Sequence, residues 1–334
     1  MSIIYKQFFS GYSVTDYAFY PPPPYSGKGW VITFEDAPID EWSRSSTTIN
    51  NIRYPSKAVV IQAKSLNRAQ QVAELIFGAH CLREGVLPVS DRPDVIPFTN
   101  ILNVSDILEQ KLYVRGVEYS GISSVCLIAA KVSQKRIFQY ALSKHLLSHK
   151  ILSIDPIHLD PSHWSPGQFV FNSTDYHVQC AYAIVAAYAV LEELSLDLRA
   201  SVLNPSTING EWNPKVKDDL ENRLTKAGVN LRETFVWELR DTPTKIEHKR
   251  KLNTIIKANW AYGKIRDSEV AIIDAIAYAS WLRSKVAAHK MSAIASSLNY
   301  YNVFAVQSLV RRIFLEVLGV WKTPLYTTCE DDGE

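Results

Sequence analysis

The sequence predicts an α+β protein, in which an N-terminal mixed α/β part is followed by an all-α helical bundle. Residues 30–35 and 57–64 have the alternating or β-branched character of strands. Beyond residue 171, the apolar residues recur at helical spacing. The chain has 334 residues, of which 47% are hydrophobic and 21% are charged. This length and composition are sufficient for a large core and for two domains.

The N-terminal part combines strand and helix signals. In "WVITFE", Trp30, Ile32 and Phe34 fall on one face, and "KAVVIQAK" over 57–64 is β-branched. Ser65 is placed to cap a helix over "LNRAQQVAELIFGAHCLRE", which Gly85 would end. From about residue 121 to 152 the pattern is again helical.

The division between domains is predicted near residue 170. Pro156, Pro161, Pro166 and Gly167 follow one another closely, which is typical of a linker. We therefore predict an α+β domain over 1–170, a helical bundle over 171–323 and an acidic, disordered tail over 324–334.

The second half contains several start and stop signals for helices. Residues 177–199 are apolar nearly all round, as in the central helix of a bundle. Asn213 as N-cap and Pro214 at the first helical position begin a helix that Gly228 closes. Thr242 and Pro243 form the same pair of start signals for another helix. Asp267 or Ser268 is expected to cap the next helix. The last helix has a core-facing apolar stripe: Val303, Val306, Val310, Ile313, Phe314, Val317 and Trp321.

Several functional classes lack support in this sequence. It contains no GxGxxG, Walker or GxSxG motif, so no nucleotide cofactor or serine hydrolase is indicated. Its four cysteines are far apart and form no CxxC. The longest uncharged apolar run, "CAYAIVAAYAVL", is 12 residues, whereas a membrane span needs about 20. We predict a cytoplasmic protein without cofactor or membrane association.

His145 and His149 have the i, i+4 spacing of a zinc pair, and His158 and His163 follow closely. However, "HLLSH" lacks the general-base glutamate of HExxH, and no cysteine lies nearby in the sequence. We predict no metal site, with these histidines as polar residues around a linker.

Arg283 and His289 lie six residues apart in "ASWLRSKVAAHK", on the second-last predicted helix. This stretch resembles the "LRN-x-(I/V)-A-H-G" ending of HEPN domains, in which Arg-x(4–6)-His closes a helix of a four- to five-helix bundle. The resemblance covers roughly residues 177–321. Where catalytic members most often carry Asn, Asp or His after the arginine, this chain has Ser284.

The resemblance implies metal-independent RNA cleavage at a site shared by two domains packed face to face, leaving a 2′,3′-cyclic phosphate. His289 would be the general acid/base and Arg283 the phosphate stabiliser, with Ser284 and Lys290 as supporting polar residues. It further implies a homodimer and a toxin or antiviral defence effector. A regulatory partner would then act through residues 1–170. The alternative is a non-catalytic module for dimerisation or for binding a ligand or partner.

The charge distribution agrees with an RNA substrate. Residues 245–290 hold ten Lys or Arg and four acids, a net charge of +6, against +2 for the chain. The candidate RNA-binding residues are Lys249, Arg250, Lys251, Lys285 and Tyr300. The basic run could equally be a solvated helix face, and Tyr300 could serve packing. Glu192 and Glu193 could approach the groove or form ordinary ion pairs.

Overall fold

The structure is a computed structural model that describes residues 3–10, 24–36, 47–49, 52–54, 57–85, 87, 114–115, 119–152, 174–209, 211–238, 267–288, 298 and 300–321. These residues form a mixed α/β, mostly helical chain with seven helices and small, mainly antiparallel sheets.

The helices are α1 (Leu66–Glu84), α2 (Tyr119–Ser133), α3 (Arg136–Ile151), α4 (Thr174–Glu193), α5 (Pro214–Lys226), α6 (Ile272–Ala288) and α7 (Tyr300–Val317). The strands are β1 (Ile3–Ser10), β2 (Tyr25–Gly27), β3 (Trp30–Asp36), β4 (Thr47–Ile49), β5 (Ile52–Tyr54), β6 (Lys57–Ala63), β7 (Val114–Arg115), β8 (Thr207–Ile208), β9 (Glu211–Trp212), β10 (Thr234–Glu238) and β11 (Asp267–Ala271).

The chain divides into two compact units. One comprises residues 1–139 with 322–334, and the other comprises residues 140–321. Most of α3, from Tyr140 on, therefore belongs to the second unit. The predicted boundary near residue 170 and the predicted tail over 324–334 lie outside the described residues.

The first unit is built on a five-stranded sheet in the order β2-β3-β6-β1-β7. All its pairings are antiparallel except that of β1 with β7. In the β3–β6 pair, Ile32 lies opposite Ile61, and both side chains are fully buried. Trp30 is buried on the same alternation, so the predicted strands over 30–35 and 57–64 are confirmed.

Helix α1 begins and ends at the predicted residues. The hydroxyl of Ser65 accepts a hydrogen bond from the Arg68 N–H at 3.2 Å, which satisfies a free donor of the first turn. At the other end, Gly85 adopts a left-handed conformation with φ 79° and donates its N–H to the Cys81 carbonyl. The buried face of α1 packs against the sheet and against α2.

In the second unit, α4 packs against both α6 and α7. The α4 residues Ile184, Tyr188 and Leu191 are buried, as befits a central helix. The predicted α7 stripe is confirmed from Val303 to Phe314, where the side chains are fully buried. This packing sets the C-terminal end of α4 beside the second half of α6.

Helix α4 ends six residues earlier than the apolar pattern predicts. The Leu196 N–H donates to the Leu191 carbonyl at 2.8 Å, and the Ser195 N–H donates to the Glu192 carbonyl at 3.1 Å. These are the two bonds of a Schellman motif, whose left-handed residue is Ser195 with φ 58°. Because glycine usually occupies that position, the sequence gives little sign of the turn. As a result, residues 196–200 leave the helix instead of continuing it.

The prediction of an all-α second half is wrong at two places. Strands β8 and β9 form a short antiparallel hairpin, and β10 pairs antiparallel with β11. The expected cap at Asp267 or Ser268 is therefore wrong, since both residues lie in β11 and α6 begins at Ile272. By contrast, the Asn213 cap is confirmed, because its side chain accepts from the Lys215 N–H at 3.1 Å. The second predicted cap, Thr242 with Pro243, lies outside the described residues.

No described helix is both long and apolar enough to cross a membrane. The cytoplasmic location remains a prediction.

Candidate functional site

The structure describes only part of the predicted site. Arg283, Ser284 and Lys285 lie in the second half of α6, the second-last of the helices that the structure describes. The remaining predicted residues are outside what the structure describes: His289, Lys290, Lys249, Arg250, Lys251 and the side chain of Tyr300. The relative position of Arg283 and His289 therefore stays a prediction.

Arg283 forms an ion pair with Glu192 from the last turn of α4. Its Nη2 lies 2.7 Å from Glu192 Oε1, and the two side chains are 39% and 32% exposed. A pair this exposed contributes little to stability, about 0–1 kcal/mol. Its effect is instead positional, because the contact holds the Arg283 guanidinium beside the last turn of α4. The neighbouring Glu193 makes a comparable pair with Lys144 at 2.6 Å.

Ser284 and Lys285 contact their own helix. The Ser284 hydroxyl donates to the Trp281 carbonyl at 2.7 Å, one turn earlier. The Lys285 ammonium lies 5.9 Å from the centre of the Trp281 ring, which is within cation–π range. Trp281 in turn stacks on Tyr278 at 5.7 Å. These contacts stiffen the end of α6 around Arg283.

A buried phenol lies close to the ion pair. The Tyr188 hydroxyl accepts from the Leu198 N–H at 3.0 Å, and the Ser280 hydroxyl donates to the Leu198 carbonyl at 3.4 Å. Burial raises the pKa of Tyr188 to about 12, even though its hydrogen bonds oppose this shift. Tyr188 therefore stays protonated near neutral pH and serves to hold residue 198 against α4 and α6.

Asp197 and Arg199 complete this polar region. The Arg199 Nε donates to Asp197 Oδ2 at 2.9 Å, and the Asp197 side chain is almost fully buried. The hydrogen bond and charge of Asp197, and secondarily the charge of Glu192, raise the pKa of Arg199 above its ordinary value. Arg199 thus lies within electrostatic reach of the Arg283–Glu192 pair. Neither Asp197 nor Arg199 belongs to any motif, so sequence reasoning missed both.

His145 and His149 do come together on α3. Their rings meet edge to face with centres 4.7 Å apart, and both side chains are buried. Neither ring nitrogen of His149 has a hydrogen-bond partner among the described residues. Burial, and to a smaller extent the positive charge of Arg311, lowers the pKa of His149 to about 4. A neutral His149 is therefore part of the packed interior at pH 7.

This lowered pKa predicts a loss of stability in mild acid. His149 has an ordinary pKa of 6.5 and a folded-state pKa of about 4, so the unfolded chain binds a proton in this window that the folded chain does not. Stability should fall as pH drops from 6.5 to 4, by about 3 kcal/mol in total for this residue. We expect His149→Leu to unfold in urea with a clearly weaker pH dependence than the wild type.

The exposed neighbour Lys150 supplies the control for this experiment. Lys150→Leu should retain the wild-type pH dependence. If His149→Leu and the wild type lose the same free energy between pH 7 and pH 4.5, the assignment to His149 is wrong.

No family model, curated protein or solved structure matches this chain. Its function is therefore inferred from the chemistry of its own residues.

Proposed function

We propose that the chain is a metal-independent endoribonuclease of HEPN type that acts as a homodimer, with the bundle of the second unit as its catalytic part. The observation that carries the proposal is the half-exposed Arg283 guanidinium, held beside Glu192 on the second-last of the helices that the structure describes. Within the described part of the chain, Glu192 is its only ion-pair partner. The guanidinium therefore keeps N–H donors available for a phosphate.

The chemistry needs a proton acceptor, a proton donor and a positive charge. The RNA 2′-oxygen attacks the adjacent phosphorus while the bond from phosphorus to the 5′-oxygen breaks. One imidazole takes the 2′-hydroxyl proton and another protonates the leaving 5′-oxygen, and histidine can do both near its ordinary pKa of about 6.5. The Arg283 fork stabilises the charge that develops on the other phosphate oxygens.

One chain supplies only one His289, so two copies of the chain provide the two imidazoles. A hydrogen-bonded turn that follows α4 in the chain supports such pairing. The Asn204 N–H donates to the Ser201 hydroxyl at 3.0 Å, and the turn presents Val202 and Leu203, which are 99% and 97% exposed. Two fully exposed aliphatic side chains on an ordered turn favour burial in an interface. We assign that interface to the second copy.

A non-catalytic module is the second candidate. The observation in its favour is that the charge of Arg283 is already paired with Glu192. Such a pair is also expected if the role of Arg283 is to link α6 to α4. In that case the bundle would serve dimerisation or binding of a partner or ligand. In either case, the role as a toxin or defence effector, and a regulatory role for the N-terminal domain, rest on the HEPN resemblance.

The test is to incubate the purified wild type with a mixed pool of single-stranded RNA in EDTA. We expect cleavage to products with 2′,3′-cyclic phosphate and 5′-hydroxyl ends, the latter accepting phosphate from polynucleotide kinase without prior dephosphorylation. Sedimentation should give twice the 37.8 kDa mass of one chain. Intact RNA would favour the non-catalytic module, and cleavage that EDTA abolishes would exclude the metal-independent mechanism.

A further inference from the structure

A hollow of about 360 Å³, lined mostly by polar residues, lies beside the turn that ends α4. This volume is at the lower end of the range for small-molecule sites, about 300–1,000 Å³. The residues that line it come from the segment after α4 and from α5: Ser195, Asp197, Arg199, Asn204, Lys215, Val216, Asp219 and Arg223.

The wall of this hollow is held in place by hydrogen bonds. Arg223 Nη1 donates to the carbonyls of Asp197 at 2.8 Å and Ser195 at 3.2 Å, while its Nε donates to Asp219 at 3.0 Å. The buried Asn213 side chain donates to the Asn204 side-chain oxygen at 2.9 Å. A wall built in this way is preorganised, which lowers the entropy cost of binding.

The lining holds three cations and two carboxylates, a small positive excess that suits an anionic ligand with hydrogen-bond donors. The Arg199 side chain is 77% exposed and Lys215 is exposed, so both cations can reach a ligand. Asp197 is only 5% exposed, and its Oδ1 has no hydrogen-bond partner among the described residues. A buried carboxylate oxygen without a partner is costly, and a hydroxyl or amino group of a ligand would satisfy it.

The segment that forms part of the hollow's wall is also hydrogen-bonded to α6. Residue 198, which separates its Asp197 and Arg199, is hydrogen-bonded to Ser280 of α6. Ser280 lies one turn before Arg283 on the same helix. The segment that carries Asp197 and Arg199 is therefore bonded directly to the helix that carries Arg283.

We propose that this hollow binds one nucleotide of the RNA substrate, next to the phosphate that is cleaved. Arg199 and Lys215 hold the phosphate of that nucleotide, and Asp197 accepts a hydrogen bond from its sugar or base. This assignment rests on the proposed ribonuclease function. A free nucleotide carries the same phosphate, sugar and base. The experiment therefore has to distinguish binding of RNA from binding of a free nucleotide.

The test measures binding of the full chain to a fluorescent 2′-O-methyl RNA tetranucleotide, which cannot be cut because it lacks the attacking 2′-hydroxyl. Lys215→Glu is compared with Lys226→Glu, since both reverse one exposed charge on α5 and only Lys215 lines the hollow. We expect Lys215→Glu to weaken binding about 10-fold and to reduce the salt dependence, with less than about a 2-fold effect for Lys226→Glu. Equal effects of the two variants would overturn the proposal.

Free nucleoside monophosphates form the second arm. We expect them to bind much more weakly than the tetranucleotide, whereas equal affinity would overturn the assignment to RNA. Cleavage of RNA with an unchanged KM in Lys215→Glu would refute the subsite and leave the ribonuclease standing. Binding that depends on Lys215 in a wild type that cleaves no RNA would instead refute the ribonuclease and leave a nucleotide-binding hollow.

Discussion

A His289→Ala variant is expected to cleave RNA about 10²- to 10⁴-fold more slowly than the wild type, which is the usual contribution of a general acid or base. In a homodimer the substitution removes both imidazoles. No imidazole then accepts the 2′-hydroxyl proton, and none protonates the leaving 5′-oxygen. The rate is measured as kcat/KM on a single-stranded RNA in EDTA. A decrease smaller than about threefold would remove His289 from the chemistry.

Substitution of Arg283 tests, in the same assay, whether its guanidinium stabilises the charge on the phosphate oxygens. Arg283→Lys keeps the charge but loses the planar fork, so we expect about a 10²-fold decrease in kcat. The matched control is Lys144→Met, because Lys144 is a similarly exposed cation that is paired with a glutamate of α4. This control should cleave like the wild type, and an equal loss in both variants would indicate a structural role for Arg283.

Variants of the two adjacent glutamates distinguish an effect on the position of Arg283 from an effect on the stability of the fold. Glu192→Gln removes the charged partner of Arg283, whereas Glu193→Gln removes that of Lys144. Because both pairs are partly exposed, neither change should cost more than about 1 kcal/mol of stability. Only Glu192→Gln should lower kcat, since only Glu192 holds the Arg283 guanidinium in position.

Local chemistry explains why some elements were predictable from the sequence. Ser65 and Asn213 cap their helices through side chains that bond to N–H groups two or three residues later, so the signal and its effect lie together in the chain. The Trp30 strand was predictable for the same reason, because alternation over a few residues already defines its buried face.

Pairings between distant residues were not predictable in this way. Strand β11 begins with Asp267 and Ser268, which alone read as a helix cap, and becomes a strand because residues 234–238 lie alongside it. The end of α4 was missed because Ser195 adopts a backbone conformation that usually belongs to glycine.

In the candidate site, too, features set by neighbouring residues were predictable and features set by distant residues were not. Arg283 was found from a short motif, although 16 arginines and 8 histidines predict about one such spacing by chance. Its partner Glu192 lies 91 residues earlier, and only the packing of α4 against α6 joins them. The hollow could not be predicted at all, because it depends on the turn at Ser195 and on the Arg223 bonds that fix it.

The largest loss of stability is expected for Arg312→Met in α7. Arg312 is buried and donates to Glu316 and Glu233, each at 3.1 Å, and to the Thr234 carbonyl. Glu316 is also buried and accepts from the Asn230 N–H at 3.1 Å, so the pair ties the chain before β10 to α7. Removing the guanidinium leaves the Glu316 carboxylate buried without its counter-charge, at a cost of about 3–5 kcal/mol.

The double variant Arg312→Met, Glu316→Leu distinguishes this cause from a simple loss of packing. Replacing both partners removes the uncompensated charge, so the double variant should be more stable than Arg312→Met alone although it carries one more substitution. Lys226→Met, at an exposed position of α5, should stay within about 0.5 kcal/mol of the wild type. The free energies come from urea unfolding of the full chain. If the double variant is no more stable than the single one, the buried carboxylate is not the source of the loss. In that case the contacts of Arg312 with the chain before β10 would account for its contribution.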